Sequence, residues 1–138
     1  DLHVGSRRQR QMCIRDRVSS HPQDLADGLS CFTDKDFMRL ADVAEHNCLK
    51  MHALAMSTRP PLLYWSPATL ACMQAVMKLR ADGIPVFFTV DAGPLLMAVC
   101  LAEASAIVRE RLQSIPGVLQ TLDCTLGQGA WVESVVKA

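Results

Sequence analysis

Gly83-Ile84-Pro85-Val86-Phe87-Phe88-Thr89-Val90-Asp91-Ala92-Gly93-Pro94 is the stretch on which the fold turns. Upstream of it, apolar residues recur with the period of a helix; inside it, that period is lost. Val86 to Val90 is a run of β-branched and aromatic side chains, which suit a pleated surface, so it reads as a strand. Leu95 to Cys100 reads as a second strand. Asp91-Ala92-Gly93-Pro94 then becomes the connection between two antiparallel strands.

Working outward, Ser66-Pro67 supplies an N-cap followed by proline at the first helical position. The helix it opens runs through Leu70, Met73, Val76, Met77 and Leu79, with Gly83 as its C-terminal cap. Before it, Phe37, Leu40, Ala41, Ala44, Cys48, Met51 and Ala55 lie on one helical stripe, stopped by Pro60-Pro61. Earlier still, Pro22 is placed at the start of a helix carrying Leu25, Ala26, Leu29 and Phe32. Thr33 with Asp36 resembles a capping box. Downstream, a helix is expected over about Glu103 to Gln113, ended near Pro116-Gly117. Val118 to Thr125 and Ala130 to Val136 read as two last strands around Gly127-Gln128-Gly129. The sum is an α+β domain, an antiparallel sheet packed with helices.

The chain has 138 residues, 50% of them hydrophobic, which suffices for one domain with a core. Formal net charge is zero, so no whole-chain field draws it to nucleic acid or an anionic membrane. The longest apolar run, Leu95 to Ala102, is too short to span a bilayer, and the basic N-terminus lacks the apolar core of a secretory signal. None of the six cysteines forms a C-x-x-C pair, and Cys48, Cys72 and Cys100 fall in apolar segments as small hydrophobes. A reduced, cytoplasmic protein is the natural expectation.

Residues 1–17 differ from the rest. They carry five arginines against two acids, whereas the remainder holds nine basic and twelve acidic residues. Residues 9–17 show no apolar periodicity and resemble a translated sequencing adapter. Either they form a basic arm for nucleic acid or, as we read them, a non-native or disordered segment. The domain is therefore taken as residues 18–138.

Asp91 is the candidate for chemistry. It follows a strand and precedes Ala-Gly-Pro, so a carboxylate is held beside a constrained turn where small residues let a ligand approach the backbone. Spacing alone leaves a turn-capping Asp as the alternative. His46 and His52 lack the i, i+4 spacing of a helical metal pair and read as packing or surface residues; no metal site is expected. No phosphate-binding G-x-x-x-x-G-K-[ST] occurs.

Four blocks change the balance. Asp36-Phe37-Met38-Arg39-Leu40-Ala41, Glu45 to Ala53, Pro60-Pro61-Leu62-Leu63-Tyr64-Trp65-Ser66-Pro67 and Gly83 to Pro94 together resemble bacterial mevalonate-diphosphate decarboxylases of the GHMP kinase superfamily. The likeness covers about Ser19 to Cys100. It implies the ferredoxin-like C-terminal domain of that superfamily, in an enzyme that converts mevalonate diphosphate to isopentenyl diphosphate with ATP and Mg2+, releasing CO2. By the same resemblance Asp91 would be the catalytic base or orienting group beside the substrate's tertiary hydroxyl, and Ala92 and Gly93 would bind substrate. Relatives continue Asp-Ala-Gly-Pro with Asn and, two residues on, Lys; Leu95 and Met97 stand there here. The family's glycine- and serine-rich ATP loop lies N-terminal to this region and is not in this sequence. A fragment inactive alone is therefore expected, and a homodimer is left open. Two alternatives remain: a mevalonate or phosphomevalonate kinase fragment, and a non-catalytic α+β binding or dimerisation domain.

Overall fold

A computed structural model describes residues 2–129, with the backbone only for residues 2–13 and 16. Its elements are α1 (Leu2–Asp34), α2 (Phe37–Met56), α3 (Pro67–Ala81), β1 (Val86–Val90), β2 (Leu96–Cys100), a 3-10 turn (Ala102–Ala104) and α4 (Ser105–Gln113). β1 and β2 pair antiparallel, Val86 opposite Cys100 and Val90 opposite Leu96. The α+β layering expected from the pattern is what forms.

Local signals explain most boundaries. Ser66 caps α3 by accepting from Thr69 N, Thr69 reciprocates at the Ser66 backbone, and Pro67 occupies the first turn. Past the other end, Gly83 takes φ +88°, a left-handed conformation that costs glycine no Cβ clash. Asp36 caps α2 through Arg39 N at 3.0 Å, so the cap is Asp36 itself; Thr33 lies within α1 and bonds back to Leu29 O. The expected helix start at Pro22 also moves. Pro22 sits inside α1, whose backbone is helical from Leu2 onward. Proline withdraws one hydrogen bond from the turn before it, a local cost of about 3 kcal/mol that a long helix can absorb.

The core lies between α3 and the sheet. Val86, Phe88 and Val90 pack with Met73, Val76 and Leu79 of α3, with Cys48 of α2, and with Ala104 and Val108. Phe87, on the other side of β1, meets Phe37 with ring centroids 5.4 Å apart. α1 packs on α2 through buried Cys31 and Ala41 and through polar ties, Lys50 to Asp24 and Arg39 to Asp27. No helix among the described residues is long and apolar enough to cross a membrane.

The strand expected over Val118 to Thr125 does not form; this segment has no regular structure. A strand exists only when its backbone pairs with another, and among the described residues no strand lies beside this one; Leu119 and Leu122 are 97% and 75% exposed. The strand expected at Ala130 to Val136 lies outside the described residues.

Candidate functional site

The β1–β2 connection is held from both ends by helices. Leu101 N donates to Pro85 O at 3.3 Å, which fixes the phase of the ladder. Hydrogen bonding alternates along an antiparallel pair, so Phe87 and Thr89 face β2 while Phe88 and Val90 turn their N–H and C=O to the opposite edge. That edge is covered by side chains of α2 instead of a third strand. Glu45 Oε1 accepts from Phe88 N at 3.1 Å, Cys48 Sγ accepts from Val90 N at 3.3 Å, and His52 Nε2 lies 2.7 Å from Val90 O. Positions 45, 48 and 52 share one helical face.

Each of these side chains is itself fixed. Glu45 binds Arg80 of α3 in a two-pronged pair at 2.5 and 2.7 Å, and those hydrogen bonds hold the guanidinium above its ordinary pKa. His52 is 1% exposed and packs against Trp65 and Tyr64, with ring centroids at 4.8 and 5.9 Å. At the far end of the connection, Thr69 Oγ1 donates to Pro94 O at 2.8 Å. A hydroxyl has one proton and a carbonyl only accepts, so Ser66 Oγ must be the donor in its 2.9 Å contact with Thr69 Oγ1.

Between these tethers Asp91 and Ala92 are exposed and Gly93 is partly exposed. The Asp91 carboxylate makes no hydrogen bond or ion pair with any described residue. Gly93 has φ +135°, and nothing lies within 4 Å of the point a Cβ would occupy, so conformation, not crowding, requires glycine there. Leu95 and Met97 stand 84% and 63% exposed beside the turn, apolar where the resemblance expects Asn and Lys. The three predicted site residues are thus brought together by adjacency, on a rigid base with an open face.

Among the described residues no three His, Cys, Asp or Glu side chains gather as a metal group, and the Gly127-Gln128-Gly129 stretch precedes no described helix. A groove of about 510 Å³ between α1 and α2 is lined by Asp24, Asp27, Asp42, Glu45, His46 and their apolar neighbours, and none of the turn residues reaches it. Burial pushes the Cys72 and Cys100 thiols up, away from the thiolate form.

Residues 11–130 match the family described as the mevalonate 5-diphosphate decarboxylase C-terminal domain. The chain belongs to this family. Over 77 residues it is 38% identical to the phosphomevalonate decarboxylase of Haloferax volcanii, a match that covers 55% of this chain and 23% of that protein. The mevalonate diphosphate decarboxylase of Enterococcus faecalis superposes with a TM-score of 0.69 at 33% identity, over 73% of this chain and 32% of that one. A solved complex named "MDDEF in complex with MVAPP, AMPPCP and Magnesium" gives 0.71 at 31% identity, over 76% and 32%. This member of the decarboxylase C-terminal family therefore spans about a quarter of the curated relative's length and a third of each solved chain.

Sequence reasoning nominates Asp91, Ala92 and Gly93 and does not single out the side chains that tether the backbone around them. It reads His52 as packing or surface, and it leaves Thr69, Cys48, Glu45 and Arg80 unassigned as supports. One signal is available: Glu45 and His52 flank Cys48 on an otherwise apolar helical stripe, where a polar side chain needs a buried partner.

Proposed function

We propose that the chain is the C-terminal part of a longer ATP-dependent decarboxylase of the mevalonate pathway, converting mevalonate diphosphate to isopentenyl diphosphate, ADP, phosphate and CO2. The observation that carries this is Asp91: an exposed carboxylate, without a partner among the described residues, at the end of a buried strand pinned on both sides. Its family supplies the substrate class, and one solved relative is named as a complex with MVAPP, AMPPCP and magnesium.

Asp91 accepts the proton of the substrate's tertiary hydroxyl, as a carboxylate within hydrogen-bond reach can. The exposed Asp91 passes that proton to solvent, and the carboxylate so restored stabilises the positive charge that develops as the phosphorylated oxygen leaves. Ala92 and Gly93 offer small, exposed backbone to the substrate. ATP supplies the phosphoryl group that makes the hydroxyl a leaving group. The solved relative named with AMPPCP and magnesium is about three times as long as the part this chain matches, so ATP and Mg2+ are assigned to a longer protein of which this chain is one part. Extending the coding sequence upstream tests this: a Gly/Ser-rich nucleotide loop is expected, and its absence contradicts the enzyme reading.

The Haloferax relative favours a second substrate, mevalonate monophosphate. Comparing CO2 release from the two phosphorylated mevalonates by the full-length protein decides between them. The exposed apolar pair Leu95 and Met97 favours a non-catalytic binding domain instead. Absence of release from either substrate would support that reading.

A further inference from the structure

We propose that His52 is a positioning residue for Asp91, acting through the Val90 carbonyl; this rests on the assignment of Asp91 above. His52 Nε2 is 2.7 Å from Val90 O, and because a carbonyl only accepts, that nitrogen carries the proton and donates. Val90 C=O and the Asp91 amide nitrogen belong to one planar peptide unit. A hydrogen bond to the carbonyl therefore fixes the plane from which the Asp91 Cα projects.

The imidazole can hold that plane because it is enclosed. It is 1% exposed, with Trp65 and Tyr64 packed against it. Cys48 holds the same residue from the side, accepting from Val90 N at 3.3 Å and making a weaker S–H contact with Val90 O at 3.5 Å. With Thr69 fixing Pro94 at 2.8 Å, the backbone on both sides of the turn is anchored while the carboxylate stays in the open. This is preorganisation by supporting residues: the reacting group is placed before substrate arrives. A displacement near 1 Å at such a site costs about a hundredfold in rate. A histidine that merely satisfied a core carbonyl would stabilise the fold without acting through Asp91, and the two roles are separable.

The test uses the full-length protein, with His52→Leu and His52→Gln made in the native and Asp91→Asn backgrounds. Gln keeps an N–H donor of similar reach; Leu does not. Circular dichroism and hydrogen exchange at the Val90 amide, below the melting temperature, establish that each variant is folded. His52→Leu is expected to lower kcat by about 10- to 100-fold with KM little changed. His52→Gln should recover most of that loss. In the Asp91→Asn background, His52→Leu should change the residual rate by less than about twofold, since a residue acting through another is non-additive with it. An equal loss in both backgrounds, a Gln variant as impaired as Leu, or an unchanged kcat in His52→Leu would overturn the proposal. Should Asp91→Asn alone turn over at a near-native rate, it is the assignment of Asp91 that fails.

Discussion

Replacing Glu45 with Ala removes a carboxylate that serves two partners at once, the half-buried Arg80 and the buried Phe88 amide. Glu45 and Arg80 side chains are 8% and 18% exposed, and their contacts are 2.5 and 2.7 Å long. Deleting one member of a buried pair costs about 3–5 kcal/mol, because the other charge is left uncompensated. Arg80 keeps some access to water, which places its share at the lower end. Phe88 is 1% exposed and donates to Glu45 at 3.1 Å, so its N–H is orphaned too, a penalty of about 1–3 kcal/mol. The two losses share one side chain and do not simply add; a total of about 3–4 kcal/mol is expected, a large part of the ~5–15 kcal/mol that holds a domain together. Urea unfolding should show the midpoint falling by about 1–3 M at unchanged slope. Removing both charges, as Glu45→Leu with Arg80→Leu, should recover much of the loss, since an apolar pair of similar volume is often neutral. A midpoint shift in Glu45→Ala below about 0.5 M, or a double variant no better than the single, would refute the idea that this pair caps the edge of β1.

Two further outcomes follow from the same geometry. Thr69→Val keeps the shape but removes the donor to Pro94 O and half of the α3 capping box; a loss of about 1–2 kcal/mol is expected, with hydrogen exchange quickened over residues 91–96. At the α1–α2 contact, the Lys50 hydrogen bond holds the Asp24 carboxyl below its usual value. A carboxylate depressed in the folded state contributes stability above its unfolded pKa and loses it as pH falls through the folded one. Asp24→Asn should therefore destabilise the protein at pH 7, and the difference from the native protein should vanish in acid below the ordinary aspartate range; a difference independent of pH would exclude that role.

Elements written in local chemistry were legible from sequence. The β-branched run Val86 to Val90 is β1, Ser66-Pro67 starts α3, and the expected second strand differs from β2 by one residue. Where the outcome depends on distant partners, local reading failed. Pro22 marks a helix start only if the chain before it is not already helical, and α1 is. Val118 to Thr125 reads as a strand by itself, yet no strand among the described residues pairs with it. The site divides the same way. Asp91 is nominated by its place after a strand and before Ala-Gly-Pro together with the four blocks of family resemblance. Its supports are separated from what they hold by 25 residues for Thr69 and Pro94, 38 for His52 and Val90, and 43 for Glu45 and Phe88. No local period encodes such contacts; only the packing of α2 and α3 against β1 creates them.

Carbon dioxide release from mevalonate diphosphate labelled at its carboxyl carbon, by the full-length protein and its Asp91→Asn variant, tests the central claim most directly. Positioned acid-base groups contribute about 10²–10⁴-fold, so release by the folded variant should fall by at least about a hundredfold. Release within about twofold of the native rate would contradict the assignment of Asp91 to the chemistry.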